Sequence, residues 1–459
     1  MRSAEVVICG AGIAGISAAF YLTVRHGVRN VMLVDDQPPL SVTSDKSTEC
    51  YRNWWPGPGD TMVRFMSRSI DLLEQLAAES GNRFVMNRNG YAYLTADPVK
   101  ADEIERAARD VSALGAGPLR IHRGLPDDPP FPEEQYDCLG PAVTGADLVL
   151  DRERIRRRFP FLPPDVLALL HTRRSGWLSA QQLGMYMLEQ AREHGLEQID
   201  GRIEEVIVRD GRVEAVRLAG DGQSGETIAT RCFINAAGPL SRDVGRKSGV
   251  ELPLVNELHG KVMFEDYLGV IPRELPLMIW CDPVTLPWSD EERGGLAADP
   301  ELRWLTETMP AGVHFRPEGG RDSRWHLMLW TYHVETREPV FPPVIDAYYP
   351  EVVVRGLVRM VPALAEYLGP RMRRPYVDGG YYCKTKENRP LIGPTPVAGN
   401  HLLCGMSGFG IMASQAAAEL LAAHVLGLEL PDYASEFLLS RYQDPGYQKL
   451  LEQMSSGQI

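Results

Sequence analysis

The hydrophobic and polar positions sort the chain into stretches of two periods. Val6, Val7, Ile8 and Cys9 form a short unbroken apolar run, the pattern of a strand buried on both faces of a parallel sheet. Gly10-Ala11-Gly12-Ile13-Ala14-Gly15 follows at once, and small and apolar residues continue at helical spacing to Phe20. A second apolar run, Val31–Val34, closes on Asp35. Helical periodicity returns in Thr61–Ala78, Pro98–Leu114, Ser179–Gly195 and Tyr348–Leu368. Gly90–Leu94 alternates as a strand does, and Ile203–Val208 with Arg212–Leu218 flank Asp210-Gly211 as a hairpin. Thr230–Ala237 is another buried run, ending in Gly238-Pro239. From Glu251 to about Val340 short strands (262–265, 277–280, 312–316, 325–332) alternate with proline-rich turns, which predicts a mostly antiparallel sheet and a second domain. His401–Val425 repeats the opening order of strand, glycine turn and apolar helix. Gln37–Gly59 and Gly117–Pro141 fit neither period and read as loops, the latter a surface excursion.

The first glycine turn carries chemistry. Gly10 permits the tight turn, Gly12 lets a pyrophosphate approach the backbone, and Gly15 lets the helix pack against its strand. The helix opened by Ile13 and Ala14 offers free N–H groups and a positive dipole end to phosphates. Asp35, with Asp36 beside it, lies where an acid receives ribose hydroxyls. Strand, glycine turn, helix and a terminal acid together predict a dinucleotide site. The loop after Asp35 falls at the carboxyl edge of the sheet, where such folds bind ligands. There Ser44, Lys46, Ser47 and Thr48 supply hydroxyls and a cation, and Arg52 stands beside Trp54-Trp55. Arg52 either faces the site or pairs with Glu49; the tryptophans either line the site or fill the core.

Composition narrows the setting. The 459 residues hold room for two or three domains, and a net charge of −13 argues against nucleic acid or an anionic membrane as partner. The basic cluster Asp151–Phe161 is interleaved with acids and reads as a solvated helix face. Seven scattered cysteines without a C-x-x-C pair predict no disulfide framework and no metal site, and fit a reducing cytoplasm. The first strand begins too near Met1 for a leader to be expected, and no apolar run approaches the roughly 20 residues of a membrane span.

With these motifs in order, the chain resembles the FAD-dependent D-amino-acid oxidase and sarcosine oxidase superfamily, which includes glycine oxidases and dimethylglycine dehydrogenases. The resemblance covers nearly the whole chain. It rests on the first glycine turn, Thr43–Arg52, Phe233–Ser241, Gly312–Pro317, Asn388–Gly393 and Gly405–Met412. It implies an α/β fold: a Rossmann-type FAD-binding domain built from discontinuous segments, and an α+β substrate domain with a mostly antiparallel sheet. The expected bounds are 1–90, 145–255 and 378–428 for the FAD domain, and 91–144 and 256–377 for the substrate domain. Residues 429–459 remain as a C-terminal tail.

By the same resemblance Val206 clamps the adenine side and Ala236, Ala237 and Gly238 form a further cofactor-lining turn. Gly405, Ser407, Gly408, Phe409, Gly410, Ile411 and Met412 approach the flavin, as glycines allow a main chain to lie against a ring. Arg52 matches an arginine that grips a substrate carboxylate, His314 lies at or beside a substrate-facing position, and Tyr381 and Tyr382 flank the flavin segment. One of the two tyrosines should point away if they share a strand. Departures matter equally. The histidine that links FAD in some relatives is absent from Ser44–Tyr51, and the linking cysteine of others aligns with Gly380, not Cys383, so non-covalent FAD is expected. The stretch matching an oxygen-activating lysine has His326 and no lysine, which weighs toward a dehydrogenase over an oxidase. The expected function is oxidation of the C–N bond of an amino acid or secondary or N-methyl amine, by hydride transfer to flavin N5, with O2 or another acceptor. The alternatives are a flavoprotein acting on a 2-hydroxy acid and a redox-inert FAD-binding assembly factor.

Overall fold

The computed structural model describes residues 2–132, 136–140, 143–220 and 225–452. Parts of two sequence-defined stretches, residues 133–135 and 141 of the proline-rich excursion and 453–459 of the tail, lie outside the described residues.

A six-stranded sheet runs in the order Leu196–Asp200, Val31–Asp35, Val6–Cys9, Phe233–Asn235, Asn400–Cys404, Leu391–Pro394, parallel except for the last strand. Alternation explains its unbroken apolar runs. Val6, Ile8, Val31 and Leu33 enter a core with the helices Ile13–Phe20, Thr61–Ser80, Ala180–Glu193 and Gly410–Leu426. Val7, Cys9, Met32 and Val34 enter a second core, against the hairpin Ile203–Arg209 and Arg212–Leu218. Both faces are covered, so no polar alternation is left to read.

The second sheet has nine strands, in the order Tyr376–Lys384, Val255–Glu265, Trp325–Leu329, His314–Glu318, Leu277–Trp280, Tyr91–Thr95, Ala168–Thr172, Ala146–Val149, Leu119–His122. It is antiparallel except where Leu277–Trp280 meets Tyr91–Thr95 and where Leu119–His122 meets Ala146–Val149. One face packs Ala92, Met278, Phe315, Met328 and Val262 against the helix Tyr349–Val358. By register, the other face presents Tyr91, Tyr93, His314, Arg316, His259, Lys261 and Tyr382. That polar wall meets the six-stranded domain: Arg52 bonds the Tyr93 hydroxyl, Arg316 Nε donates to Thr48 O, and Lys261 Nζ donates to Asp45 O.

Several expectations change. Within the expected loop Gln37–Gly59, Cys50–Arg52 is a buried strand paired with Ser175–Trp177, too short to show a period. Ala146–Val149, Ala168–Thr172 and residues 378–384 were assigned to the FAD domain by sequence, yet they ladder into the nine-stranded sheet. Their partners are distant in sequence, and local pattern cannot assign them. The C-terminal tail is packed as far as Leu451: Arg441 forms a buried pair with Glu387, whose Oε1 also accepts from the Tyr442 and Tyr447 hydroxyls. Among the described residues one helix, Ser407–Leu426, is long and apolar enough to cross a membrane; 72% of its apolar window is buried inside this fold, as befits a helix that is apolar all round.

Candidate active site

The nucleotide end is built at the first glycine turn. Gly10 has φ +108°, and a Cβ there would lie 2.4 Å from Ala236 O; one on Gly15 would lie 1.8 Å from Gly10 O. Both are fixed by close backbone approach. Gly12 differs, since a Cβ there meets only Ser44 Oγ, at 3.3 Å. The helix that follows has no side-chain cap, and the Ile13 N–H donates to Ser44 Oγ at 2.9 Å. Asp35 accepts from the Ala11 N–H (2.6 Å) and the Gln37 N–H (2.9 Å), while burial pushes its pKa up against those donors. Asp36 is exposed. Ala236, Ala237 and Gly238 leave the neighbouring strand beside this turn, where Ala236 N–H donates to Cys9 O at 2.9 Å. Val206 is buried behind it with Cys9 and Val34.

The second glycine turn lies where the two sheets meet. Gly405 and Ser407 have φ +72° and +47°, and Gly410 opens the buried helix that contains Ile411 and Met412. Phe409 packs edge-on against Trp55 at 5.0 Å, and Gly408 lies flat on Tyr382, whose ring a Cβ would meet at 2.4 Å. The 44–48 loop is tied down beside them. Lys46 Nζ pairs with Asp378 (2.7 Å) and Asp45 (3.2 Å), and Ser47 Oγ accepts from the Glu49 N–H at 3.0 Å. Thr48 contributes its carbonyl to Arg316.

The wall above brings together the three residues expected at the substrate. Arg52 is 6% exposed; it donates to the Tyr93 hydroxyl and lies over the rings of Trp55 (5.2 Å) and Tyr91 (5.7 Å). Its Nε has no hydrogen-bond partner, and among the described residues no carboxylate forms an ion pair with it. The pairing with Glu49 is not made: Glu49 accepts from the Ala180 N–H at 3.0 Å instead. Trp54 is core at 1% exposure, whereas Trp55 joins Arg52 to Phe409. His314 Nδ1 is 2.8 Å from Gly312 O; burial, with smaller contributions from His259 and Arg52, lowers its pKa. Tyr382 stacks on His259 at 4.0 Å and 17°, while Tyr381 points away, its hydroxyl on the Val340 backbone. His326 belongs to the opposite face, unpartnered and lowered to about pKa 4 by burial.

The profile of the FAD-dependent oxidoreductase (DAO) family matches residues 5–424. The chain belongs to this family. Among curated relatives, mitochondrial dimethylglycine dehydrogenase of Rattus norvegicus is 24% identical over 385 residues, covering 80% of this chain and 39% of that protein. The Homo sapiens enzyme of that name is 25% identical over 327 residues, covering 67% and 33%. The chain spans about two fifths of the length of the curated relatives it matches first. Of solved structures, L-proline dehydrogenase from P. horikoshii superposes with a TM-score of 0.71 at 17% identity, over 96% of this chain and 98% of that one. Glycine oxidase from Geobacillus kaustophilus gives 0.71 at 16%, over 96% and 99%. These two share the fold.

The residues present fit the cofactor of this FAD-dependent oxidoreductase family. No backbone crowds Gly12 at the helix start, where Ser44 Oγ is the one near neighbour, and buried Ser407 Oγ, Arg52 Nε and His259 Nε2 lack hydrogen-bond partners around the second turn and wall. Among the described residues no group of three or more His, Cys, Asp or Glu could hold a metal ion. Sequence reasoning missed three wall residues, Glu257, His259 and Lys261. Lys384 pairs with Glu257 at 2.8 Å, and Lys261 is buried with its pKa lowered by desolvation against the acids Glu49, Asp45 and Asp378. Their signal was present, because Glu257, His259 and Lys261 alternate through one strand.

Proposed function

We propose that this FAD-dependent oxidoreductase oxidises the C–N bond of an amino acid or secondary amine, with FAD held non-covalently. Gly12 and Ser44 would receive the pyrophosphate at the turn that Gly10 and Gly15 shape, Asp35 the ribose, Val206 with Ala236–Gly238 the adenine side, and Gly405–Met412 the ring. FAD, when bound, would supply the two-electron acceptor for the hydride from the C–H beside nitrogen, and the substrate nitrogen would give up a proton to solvent as C=N forms. The observation that carries the reading is Arg52. A guanidinium buried among aromatic rings without a carboxylate partner is costly unless an anion joins it, and a substrate carboxylate supplies one with bidentate geometry. His259 and His314, kept neutral by burial, add no cation beside the substrate amine. The seven free thiols support a reducing compartment such as the cytoplasm.

Anaerobic mixing with a panel of amino acids, N-methyl amino acids and 2-hydroxy acids tests this, read as bleaching of the flavin band. Amines and amino acids are expected to bleach it, and readmission of air then shows whether O2 is an acceptor. Bleaching by 2-hydroxy acids alone would move the assignment to that class, and no bleaching would leave a redox-inert flavoprotein.

Attachment is read separately. Cys383 lies on the strand face opposite Tyr382, in a cluster with Leu391, Leu402 and Cys404, and burial pushes its thiol up to about 12. Acid precipitation should therefore leave the flavin in the supernatant. A yellow washed pellet yielding a flavin-bearing peptide would overturn the non-covalent reading.

A further inference from the structure

Beside the polar wall, the sheet has an opening. The strand 255–265 pairs with 325–329 only from Val262 to Glu265, and the chain after Leu329 returns to it only at the bridge between Glu257 and Thr336. Between these points lies a cavity of about 500 Å³, lined on the strand by Leu258, His259 and Gly260. Its walls are Trp304, Trp330, Tyr332 and Tyr349, with Asp346 among the lining residues. Tyr332 stacks on Trp304 (5.7 Å, 23°) and Tyr349 (5.8 Å, 28°), and Trp330 meets it edge-on. Two of the polar handles are already used: the Trp330 indole N–H donates to Pro310 O at 3.1 Å, and the Tyr349 hydroxyl donates to Gly260 O. His333, Glu335, Arg337 and Asp346 line its exposed side, and the less exposed lining is mostly aromatic surface, which suits another ring.

His259 joins this cavity to the substrate wall. It lines the cavity and stacks on Tyr382, with Nδ1 held by Thr331 Oγ1 at 2.9 Å. Its Nε2 lacks a hydrogen-bond partner although the residue is 9% exposed, and Glu257 stands off at 3.6 Å. A ring nitrogen held only by this long contact with Glu257, at the junction of a wall and a cavity, is placed for a ligand that spans both.

We propose that this cavity is a substrate subsite for an aromatic group carried on the nitrogen or the α-carbon of a carboxylate-bearing substrate. This rests on the assignment of Arg52 and Tyr382 to the substrate wall, and it makes the preferred substrate larger than an N-methylglycine. The cavity is several times the size that a methyl substituent fills, and placing a ring there removes apolar surface from water.

Two measurements on the FAD-loaded protein test it. The first needs no turnover: 3-phenylpropionate and propionate each carry a carboxylate for Arg52, but only one carries a ring. Titrated against protein tryptophan fluorescence and the flavin spectrum, 3-phenylpropionate should bind about tenfold tighter or more. Val344, exposed and on the cavity lining, gives a way to plug the cavity without cutting into the core. In Val344→Trp the affinity ratio should fall to near one, and Tyr332→Ala should reduce it as well. Equal affinities in the unaltered protein, or a ratio that survives Val344→Trp, would overturn the subsite. The second measurement compares anaerobic flavin reduction by N-benzylglycine and N-methylglycine, where kcat/KM should favour the benzyl compound by about tenfold. Preference for N-methylglycine overturns the subsite and leaves amine oxidation standing. Reduction by neither, with the 3-phenylpropionate preference intact, removes amine oxidation and leaves the subsite.

Discussion

Replacing Arg52 with alanine is expected to lower kcat/KM for the substrate by roughly 30- to 1,000-fold, or about 2–4 kcal/mol of transition-state stabilisation, with FAD content unchanged. The expectation follows from where the charge sits. Arg52 is 6% exposed, its Nε is unpartnered, and its protein contacts are a tyrosine hydroxyl and the faces of Trp55 and Tyr91. Those rings exclude water, and an ion pair formed there with a substrate carboxylate is screened far less than one at the surface. Arg52→Lys keeps the charge but loses the planar fork and the stacking on Trp55, so KM should rise markedly in that variant too. A purely structural arginine gives another pattern. Its removal would lower the melting temperature and leave kcat/KM of the folded fraction near normal. Steady-state kinetics on both variants, normalised to bound flavin, separate the two, and near-normal kcat/KM in Arg52→Ala ends the clamp.

The site was legible where chemistry is local and obscure where it depends on pairing. The first turn could be read because Gly10, Gly12, Gly15 and Asp35 lie in one strand–helix–strand unit with fixed spacing. Arg52 could be named, yet its setting could not: the strand Cys50–Arg52 exists because Ser175–Trp177 pairs with it, and its lid comes from Tyr91 and Tyr93 of the other sheet. The sheet membership of Tyr376–Lys384 is likewise a long-range fact, set by nine register pairs with Val255–Glu265. Glu257, His259 and Lys261 were readable in principle. Three polar residues at period two, with Leu258, Val262 and Phe264 on the alternate positions of the strand, mark a face that meets something other than core. The helix Gly410–Leu426 shows the converse, for its apolar residues surround it and period alone cannot tell a core helix from a membrane span.

The second and third glycines of the first turn should fail in different ways when enlarged. Gly12→Val is expected to fold and to lose its FAD, falling from about one flavin per chain to less than about a tenth. Gly12 has φ −74° and ψ −179°, a conformation open to any residue, and a Cβ there meets only Ser44 Oγ, at 3.3 Å. The chain itself therefore loses little beyond a shift of the Ser44 hydroxyl, while the added methyls project into the space before the helix start, where a pyrophosphate must touch the backbone. Gly15→Val is expected to fail earlier. Its Cβ would sit 1.8 Å from Gly10 O and 3.4 Å from Ile8, so strand and helix must separate in the middle of the six-stranded sheet. Overpacking against backbone at that distance should exceed about 4 kcal/mol, enough to remove most of a domain's stability. Flavin absorbance per chain, together with the far-UV circular dichroism and melting curve of each variant, reads both effects. A Gly12→Val protein that stays yellow at full occupancy would show that the cofactor does not approach the backbone at this turn.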